Sequence, residues 1–272
     1  MDVGGELRAR APGGILSWSA EEASARELGL PHREIEGAAL RAGLRLERYA
    51  RNFRTVDQAG QLALHEARVA VVGAGGLGGH VIEELARLGV GTLVLVDSDR
   101  FDASNLNRQI LCTLATRGRP TAEVAAERVA LVNPATEVLP RCLRLDADNC
   151  DEILSGAGAV ADALDSISSR LVLEAACARL GLPLAHAGIA GWYVQASTVL
   201  PGEATLARLY AGAATDRGIE TELGNPAFTP AVAAGIQVAE ILKILLGRPP
   251  ALAGSLFHLD LDRLEALRLP LA

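Results

Sequence analysis

The chain has 272 residues, of which 50% are apolar and 22% charged, the composition of a soluble protein with a sizeable core. Its formal net charge of −7 argues against a nucleic-acid-binding surface, although it leaves room for one basic pocket. No two of the four cysteines form a CxxC pair, so neither a structural zinc site of that type nor a disulfide framework is expected. No apolar run has the length of a signal peptide or a membrane span, and we expect a cytoplasmic protein.

Residues 1–47 are predicted to form a small helical extension. Residues 1–15 carry Gly, Pro and Arg and are expected to be a loose end. The pattern then becomes helical, and Ser19 with Glu22 has the spacing of a capping box. Pro31 is expected to open a second helix, because the N–H that proline lacks has no helical partner at that position. The extension is either a packing arm or a segment with a separate function.

From residue 68 onward, short apolar runs alternate with helical patterns. This alternation predicts a Rossmann-like, doubly wound and mostly parallel α/β sheet. The predicted strands are residues 68–72, 91–96, 136–143, 157–163, 184–189 and 192–200, the predicted helices are residues 77–88, 121–132, 166–180 and 230–246, and residues 255–269 are a final hairpin. Residues 201–229 are predicted to be a long loop, and long loops in compact domains are often functional.

A glycine-rich turn follows the first strand of this pattern. Gly73, Gly75, Gly76 and Gly78 satisfy G-x-G-x-x-G between a strand and a helix, where backbone N–H groups can approach a phosphate. Asp97 ends the second strand, where its carboxylate can bind ribose hydroxyls. These features predict a nucleotide site, and by themselves they favour NAD over ATP.

Polar residues beyond Asp97 change that preference. Asp99, Asn105, Arg108 and Gln109 follow within twelve residues. A hydride-transfer site is mostly apolar around its nicotinamide and does not need such a group, whereas a triphosphate site does. Arg108 can place a fork of donors on phosphate oxygens. The block therefore indicates ATP.

At this point the sequence resembles a known family, the ThiF, MoeB and HesA proteins, which are bacterial relatives of the ubiquitin-activating enzymes. The pairing of a GxGGLG loop with an SNLNRQ block is specific for that family, whereas either half alone is not. The matching stretches are RYARN at 48–52, GAGGLG at 73–78, LVDSD at 95–99, SNLNRQ at 104–109, ALDS at 163–166 and the helix at 229–243. The resemblance implies an ATP-binding adenylation domain at residues 48–272.

The family transfers the AMP part of ATP to the C-terminal carboxylate of a carrier protein that usually ends in Gly-Gly, which gives an acyl-adenylate and releases pyrophosphate. By resemblance, Asp97 and Asp99 belong to the nucleotide site and Asp97 binds the ribose. Arg108 binds the phosphates, and Asn105 and Gln109 support that contact. Magnesium usually assists.

Two further residues take roles from the resemblance. Asp165 would hold the magnesium ion, and its alternative role is to cap the helix that follows. Arg51 resembles an arginine that reaches across a dimer interface into the partner's ATP, and its alternative role is a surface salt bridge. The resemblance therefore also implies a homodimer.

The chain departs from the family at two points. The family has a lysine in the phosphate site where this chain has Thr121, whose hydroxyl carries no charge, and Arg117 or Arg119 would have to replace it. Residues 187–272 contain no cysteine, so adenylation is expected without a covalent thiol intermediate. Cys177 is expected to be buried and inert.

The leading hypothesis is an adenylyltransferase acting on a ubiquitin-like sulfur carrier of a thiamine, molybdopterin or tungstopterin pathway. Adenylation of a tRNA-borne carboxylate, a non-catalytic ATP- or carrier-binding scaffold and a nicotinamide dehydrogenase remain as alternatives. His186, Trp192 and Tyr193 flank a glycine-rich junction and either line a channel for the carrier tail or make core or dimer contacts.

Overall fold

The computed structural model describes residues 2–213 and 215–271. Its α-helices are α1 (Val3–Ala9), α2 (Trp18–Leu28), α3 (His32–Arg41), α4 (Gln58–Glu66), α5 (Gly76–Leu88), α6 (Thr121–Val132), α7 (Cys150–Leu154), α8 (Ile167–Leu180), α9 (Thr205–Leu209), α10 (Glu220–Leu223) and α11 (Phe228–Leu245). Its strands are β1 (Ile15–Leu16), β2 (Arg45–Leu46), β3 (Arg68–Val72), β4 (Thr92–Val96), β5 (Glu137–Arg141), β6 (Ala159–Asp162), β7 (Leu184–Ala190), β8 (Tyr193–Val199), β9 (Ser255–Asp260) and β10 (Glu265–Pro270). The predicted main-domain strands and helices are all present, with ends shifted by a few residues. The structure adds the short helices α7, α9 and α10, of which α9 and α10 lie in the segment predicted to be a long loop.

One sheet of eight strands organises the chain, in the order β10-β9-β8-β7-β6-β3-β4-β5. The five strands from β7 to β5 in that order are parallel, and β8, β9 and β10 continue the sheet in antiparallel fashion. The prediction of a Rossmann-like, mostly parallel sheet is confirmed. Its two edge strands, β5 and β10, each contain a proline, Pro140 and Pro270.

Alternate residues of the central strands supply two separate cores. In β3, Val69 and Val71 point to the face covered by α5, α6 and α11, whereas Ala70 and Val72 point to the face covered by α7 and α8. Side chains alternate across a strand, so an unbroken apolar run such as RVAVV is suited to a strand buried on both faces. This burial holds the carboxyl ends of β3, β4 and β6 side by side.

Helix α11 is the one described helix whose length and mean hydropathy of 1.4 would suffice to cross a membrane. It packs instead against α5, β7 and β8. Gln237 on α11 donates hydrogen bonds to the carbonyl oxygens of Asp162 (2.9 Å) and Ala185 (2.7 Å). The helix is therefore a core element, locked to the strands that end at the cavity described below.

The N-terminal segment differs from the prediction in two respects. Residues expected to be a loose end form α1, because the Asp2 carboxylate accepts a hydrogen bond from the Gly5 N–H (2.9 Å) and caps the helix. The cap of α2 is Ser17, not Ser19, and it accepts from the Ala20 N–H (3.2 Å). Pro31, predicted to open the second helix, is the N-cap residue of α3, one position before its first residue.

The N-terminal segment has a small apolar core of its own, and Tyr49, which is part of that core, also contacts the main sheet domain. The buried Tyr49 hydroxyl accepts a hydrogen bond from Asn133 (2.8 Å) and donates to Glu36 (3.2 Å). Arg48 forms an ion pair with Glu36 (3.0 Å) and donates to the Asn133 side chain. The first 47 residues are thus tied to the main sheet domain by buried polar contacts, and the division at residue 47 stays a prediction.

Candidate active site

The glycine loop begins where β3 ends, and two of its glycines are required by the backbone. Gly73 has a φ of +96°, which favours glycine, and its N–H donates to the Val96 carbonyl (2.8 Å). A Cβ on Gly78 would overlap the Gly73 carbonyl oxygen and lie 2.7 Å from its carbon. Gly75 and Gly76 instead line an open cavity at the start of α5. The loop therefore turns tightly and leaves its backbone accessible.

That cavity has a volume of about 650 Å³ and lies at the carboxyl ends of β3, β4 and β6. Open α/β sheets bind ligands at this edge. Seven of the predicted site residues line it, namely Gly75, Gly76, Asp97, Asp99, Arg108, Gln109 and Asp165. The structure thus brings together residues that are up to 90 positions apart in the sequence.

Three of these residues place carboxylates in the cavity. Asp97 accepts hydrogen bonds from the Ala74 N–H (2.6 Å) and the Asp99 N–H (2.7 Å), which fixes it against the glycine loop. Burial raises the pKa of Asp99 above its usual range, and the charges of Asp97 and Asp165 raise it further. The cavity therefore concentrates negative charge that a cation would relieve.

The residues after β4 supply the cavity with hydrogen-bond donors from Arg108 and an unpaired acceptor oxygen from Gln109. Arg108 donates to the Ser104 carbonyl (3.1 Å) and the Asn107 side chain (2.9 Å), which orients its guanidinium beside Gly76. The buried Gln109 Oε1 has no hydrogen-bond partner within the described part of the chain. Buried polar atoms are normally paired, so this oxygen is available to a ligand.

Asn105 does not reach the cavity lining. Its side-chain oxygen accepts a hydrogen bond from the Asp102 N–H (2.8 Å) as half of a capping box. Asn105 shapes the turn that carries Arg108, and its predicted support of the phosphates is indirect in this geometry.

Thr121 is buried outside the cavity lining. Its hydroxyl donates to the Asp99 carbonyl (3.3 Å), as does its N–H (3.0 Å). Arg119 forms an ion pair with Glu127 on the outside of α6, and Arg117 is exposed and does not line the cavity. Neither arginine therefore brings its charge into the cavity lining.

The remaining two predicted residues have different surroundings. Asp165 is not the cap of α8, because Ser166 takes that position and accepts from the Ser169 N–H (3.4 Å). Asp165 instead forms an ion pair with Arg217. Arg51 is exposed in a turn, and its side chain makes no hydrogen bond or ion pair to any residue that the structure describes, so the salt-bridge alternative has no partner within those residues.

A buried polar cluster lies beside the cavity, and the sequence did not indicate it. His186 Nδ1 lies 2.7 Å from the Asp162 carboxylate, and Arg170, which lines the cavity, donates to the Tyr210 hydroxyl (2.6 Å) and the Leu164 carbonyl (2.7 Å). Burial lowers the pKa of His186, so its ring is neutral near pH 7. His186 thus belongs to the core. Only the position of Asp162 at a strand end could have indicated the cluster.

Trp192 and Tyr193 are partly exposed, unlike His186. Trp192 packs against Phe228 with ring centroids 4.6 Å apart, and Tyr193 stacks on His258 at 5.6 Å. Cys177 is buried as expected, and burial raises the pKa of its thiol to about 12.

A doubly wound sheet, a glycine loop at its carboxyl edge and a cavity lined by arginine, glutamine and carboxylates define an α/β nucleotide-binding protein. The model of the ThiF family matches residues 48–271, and the chain belongs to that family. The resemblance inferred from the sequence is confirmed.

Among curated relatives, the chain is 37% identical to the SAMP-activating enzyme E1 of Haloferax volcanii over 222 residues, 79% of this chain and 81% of the relative. It is 37% identical to a sulfur carrier protein adenylyltransferase of Thermus thermophilus over 231 residues, 81% and 84% of the two chains. One of these relatives is thus named for the activation of SAMP and the other for the adenylation of a sulfur carrier protein.

Solved structures agree with the fold. Escherichia coli MccB in complex with ATP superposes with a TM-score of 0.71 at 22% identity, and the match covers 83% of this chain and 72% of MccB. Escherichia coli tRNA N6-threonylcarbamoyladenosine dehydratase in complex with AMP gives a TM-score of 0.63 at 26% identity, covering 74% of this chain and 95% of the dehydratase.

Proposed function

We propose that this protein uses ATP to adenylate the C-terminal carboxylate of a ubiquitin-like sulfur carrier ending in Gly-Gly. The observation that carries the proposal is the cavity in which Arg108, the unpaired Gln109 oxygen and Asp165 converge on the glycine loop. The kinship with carrier-activating enzymes supports the choice of carrier.

Each cavity residue has a proposed task. The N-terminus of α5 and the N–H groups of Gly75 and Gly76 receive phosphate oxygens. Asp97 binds the ribose through the acceptor capacity left beside its two backbone hydrogen bonds. Arg108 neutralises the phosphates, and Gln109 accepts a hydrogen bond from a nucleotide hydroxyl or amino group.

The reaction needs little covalent help from the protein. A carboxylate oxygen of the carrier forms a bond to the α-phosphorus while the bond from that phosphorus to the bridging oxygen of pyrophosphate breaks. The products are an acyl-adenylate and pyrophosphate. Two anions must approach each other, so the work of the site is to position them and to offset their repulsion.

The carboxylates fit a magnesium ion. Magnesium is usually bound by one or two carboxylates together with substrate phosphates, and Asp165 with the neighbouring Asp99 offers such a pair. The described residues contain no cluster of three or more His, Cys, Asp or Glu side chains arranged for a metal ion. A magnesium ion at Asp165 would neutralise part of the phosphate charge.

The proposal includes no covalent thiol intermediate. Burial raises the pKa values of Cys112 and Cys177, which keeps both protonated and unreactive, and all four thiols are free. Free thiols are also consistent with the proposed cytoplasmic location. We further propose a homodimer in which the unpaired Arg51 serves the partner's nucleotide, as in the family.

The test is ATP–pyrophosphate exchange in the presence of a Gly-Gly-ended carrier. Exchange is expected for the chain and is expected to fall for Arg108→Ala, with the exposed Arg263→Ala as the matched control. A carrier lacking its last two glycines should not support exchange. Exchange with tRNA and not with any carrier would refute the carrier assignment.

One observation favours a second candidate, a nucleotide-binding relative without catalysis. Thr121 supplies no charge, and neither Arg117 nor Arg119 lines the cavity. In that case ATP binds, exchange is absent, and Thr121→Lys restores it. Exchange by the unmodified chain would rule this candidate out.

A further inference from the structure

Part of the cavity wall comes from the segment between β8 and α11, where Arg217 pairs with Asp165. The two side chains are 54% and 72% exposed. Exposed ion pairs contribute little net stability, because water screens them and two side chains must be ordered. Arg217 can therefore change partner at little cost when a stronger anion enters the cavity.

The backbone next to Arg217 is held in place. The Asp216 carboxylate accepts hydrogen bonds from the Ser168 N–H (2.7 Å) and hydroxyl (3.0 Å) at the start of α8. The Asp216 carbonyl accepts from the Ile167 N–H (2.9 Å). The backbone of Arg217 thus stays beside the cavity, and its guanidinium remains within reach of a ligand there when it leaves Asp165.

Within the described part of the chain, four arginines line the cavity, namely Arg108, Arg144, Arg170 and Arg217. The largely buried Arg170 side chain already donates hydrogen bonds to the Tyr210 hydroxyl and the Leu164 carbonyl. Arg144 follows β5, three strands away from β6 in the sheet. Arg217 differs from these three arginines because its partner is Asp165, the carboxylate that would bind the magnesium ion.

The charge of the cavity makes such an exchange favourable. Asp97, Asp99 and Asp165 line the cavity together with Arg217, so several negative charges already lie close to one another there. A triphosphate adds further negative charge.

We propose that Arg217 is a phosphate-binding residue that pairs with Asp165 in the free protein and transfers to the polyphosphate when magnesium–ATP takes its place at Asp165. The inference rests on the proposed function. It gives the cavity the cation that Thr121 does not provide, from a segment remote in sequence.

The test compares ATP and AMP binding, each with magnesium, by isothermal titration calorimetry. Arg217→Ala should weaken ATP binding by about tenfold or more, equivalent to about 1.4 kcal/mol, while AMP binding changes by less than about twofold. Arg217→Lys should retain part of the ATP affinity, because it keeps the charge and loses the fork. Arg263→Ala is the control for loss of an exposed arginine.

A second measurement is the rate of trypsin cleavage after Arg217, which ATP should slow more than AMP does. Unchanged or tighter ATP binding by Arg217→Ala would overturn the inference, since Arg217 would then be only a counterion of Asp165. Equal losses for ATP and AMP would also overturn it. Failure of the unmodified chain to bind ATP would refute the proposed function itself.

Discussion

Replacement by alanine should have opposite effects on stability at two helical glycines, Gly235 in α11 and Gly78 at the start of α5. Gly235 lies on the exposed side of α11, and a Cβ there meets nothing within 4 Å. Gly235→Ala should therefore stabilise the protein by about 1 kcal/mol through helix propensity. Gly78→Ala gains the same propensity, but its Cβ overlaps the Gly73 carbonyl and lies 3.2 Å from the Ala163 Cβ.

Relief of that overlap requires the backbone turn at Gly73 to move, since no flexible side chain is involved. Overpacking of this kind costs about 1–3 kcal/mol. Gly78→Ala should thus be less stable than Gly235→Ala by about 1–3 kcal/mol in urea unfolding, which is the overpacking term alone. ATP affinity should fall only for Gly78→Ala. Equal stability of the two variants would refute the argument that Gly73 and Gly78 form a close backbone contact.

Three other predictions concern one exposed thiol and two buried polar side chains. In the native protein the exposed thiol of Cys142 should react with a disulfide reagent faster than the three buried thiols, although desolvation and the Glu123 carboxylate raise its pKa, and Cys142→Ser should abolish this phase. His186, whose pKa burial holds below its usual value, should lower the unfolding free energy as the pH falls below 6.5, because only the unfolded state gains the proton. His186→Asn should reduce that pH dependence, and an unchanged slope would contradict it. Asn133→Ala should cost about 2 kcal/mol in urea unfolding, because it removes the hydrogen bonds to the Tyr49 hydroxyl and the Ala86 carbonyl and leaves the buried Ala135 N–H without its acceptor, whereas a loss below about 0.5 kcal/mol would contradict it.

The sequence predicted the elements whose signals are local. The apolar run of β3 and the glycines after it fix a strand, a turn and a helix within some twenty residues, and these elements position Asp97 and Gly76. The short helices α1 and α4 were missed because a single cap, Asp2 or Asp57, accounts for each start. Such caps are common in sequence and weak as signals.

In the candidate site too, residues with a local sequence signal were predicted correctly, whereas contacts between distant segments were not. Arg108 and Gln109 were predicted from one continuous block and do line the cavity. Asn105, in the same block, bonds instead to the backbone three residues before it, a choice that only the local turn geometry reveals. The pairs Asp165–Arg217 and Asp162–His186 join segments 52 and 24 residues apart, and no sequence periodicity relates their members.

The prolines in the two edge strands bear on how molecules of this protein meet. An edge strand exposes unpaired N–H and C=O groups that can recruit a strand from another molecule, and this is a route to fibrils. Pro140 and Pro270 each remove one donor from such a row, so that neither edge offers an uninterrupted template. Self-association by extension of the sheet is therefore disfavoured at both ends, and a dimer would have to form through helices and loops.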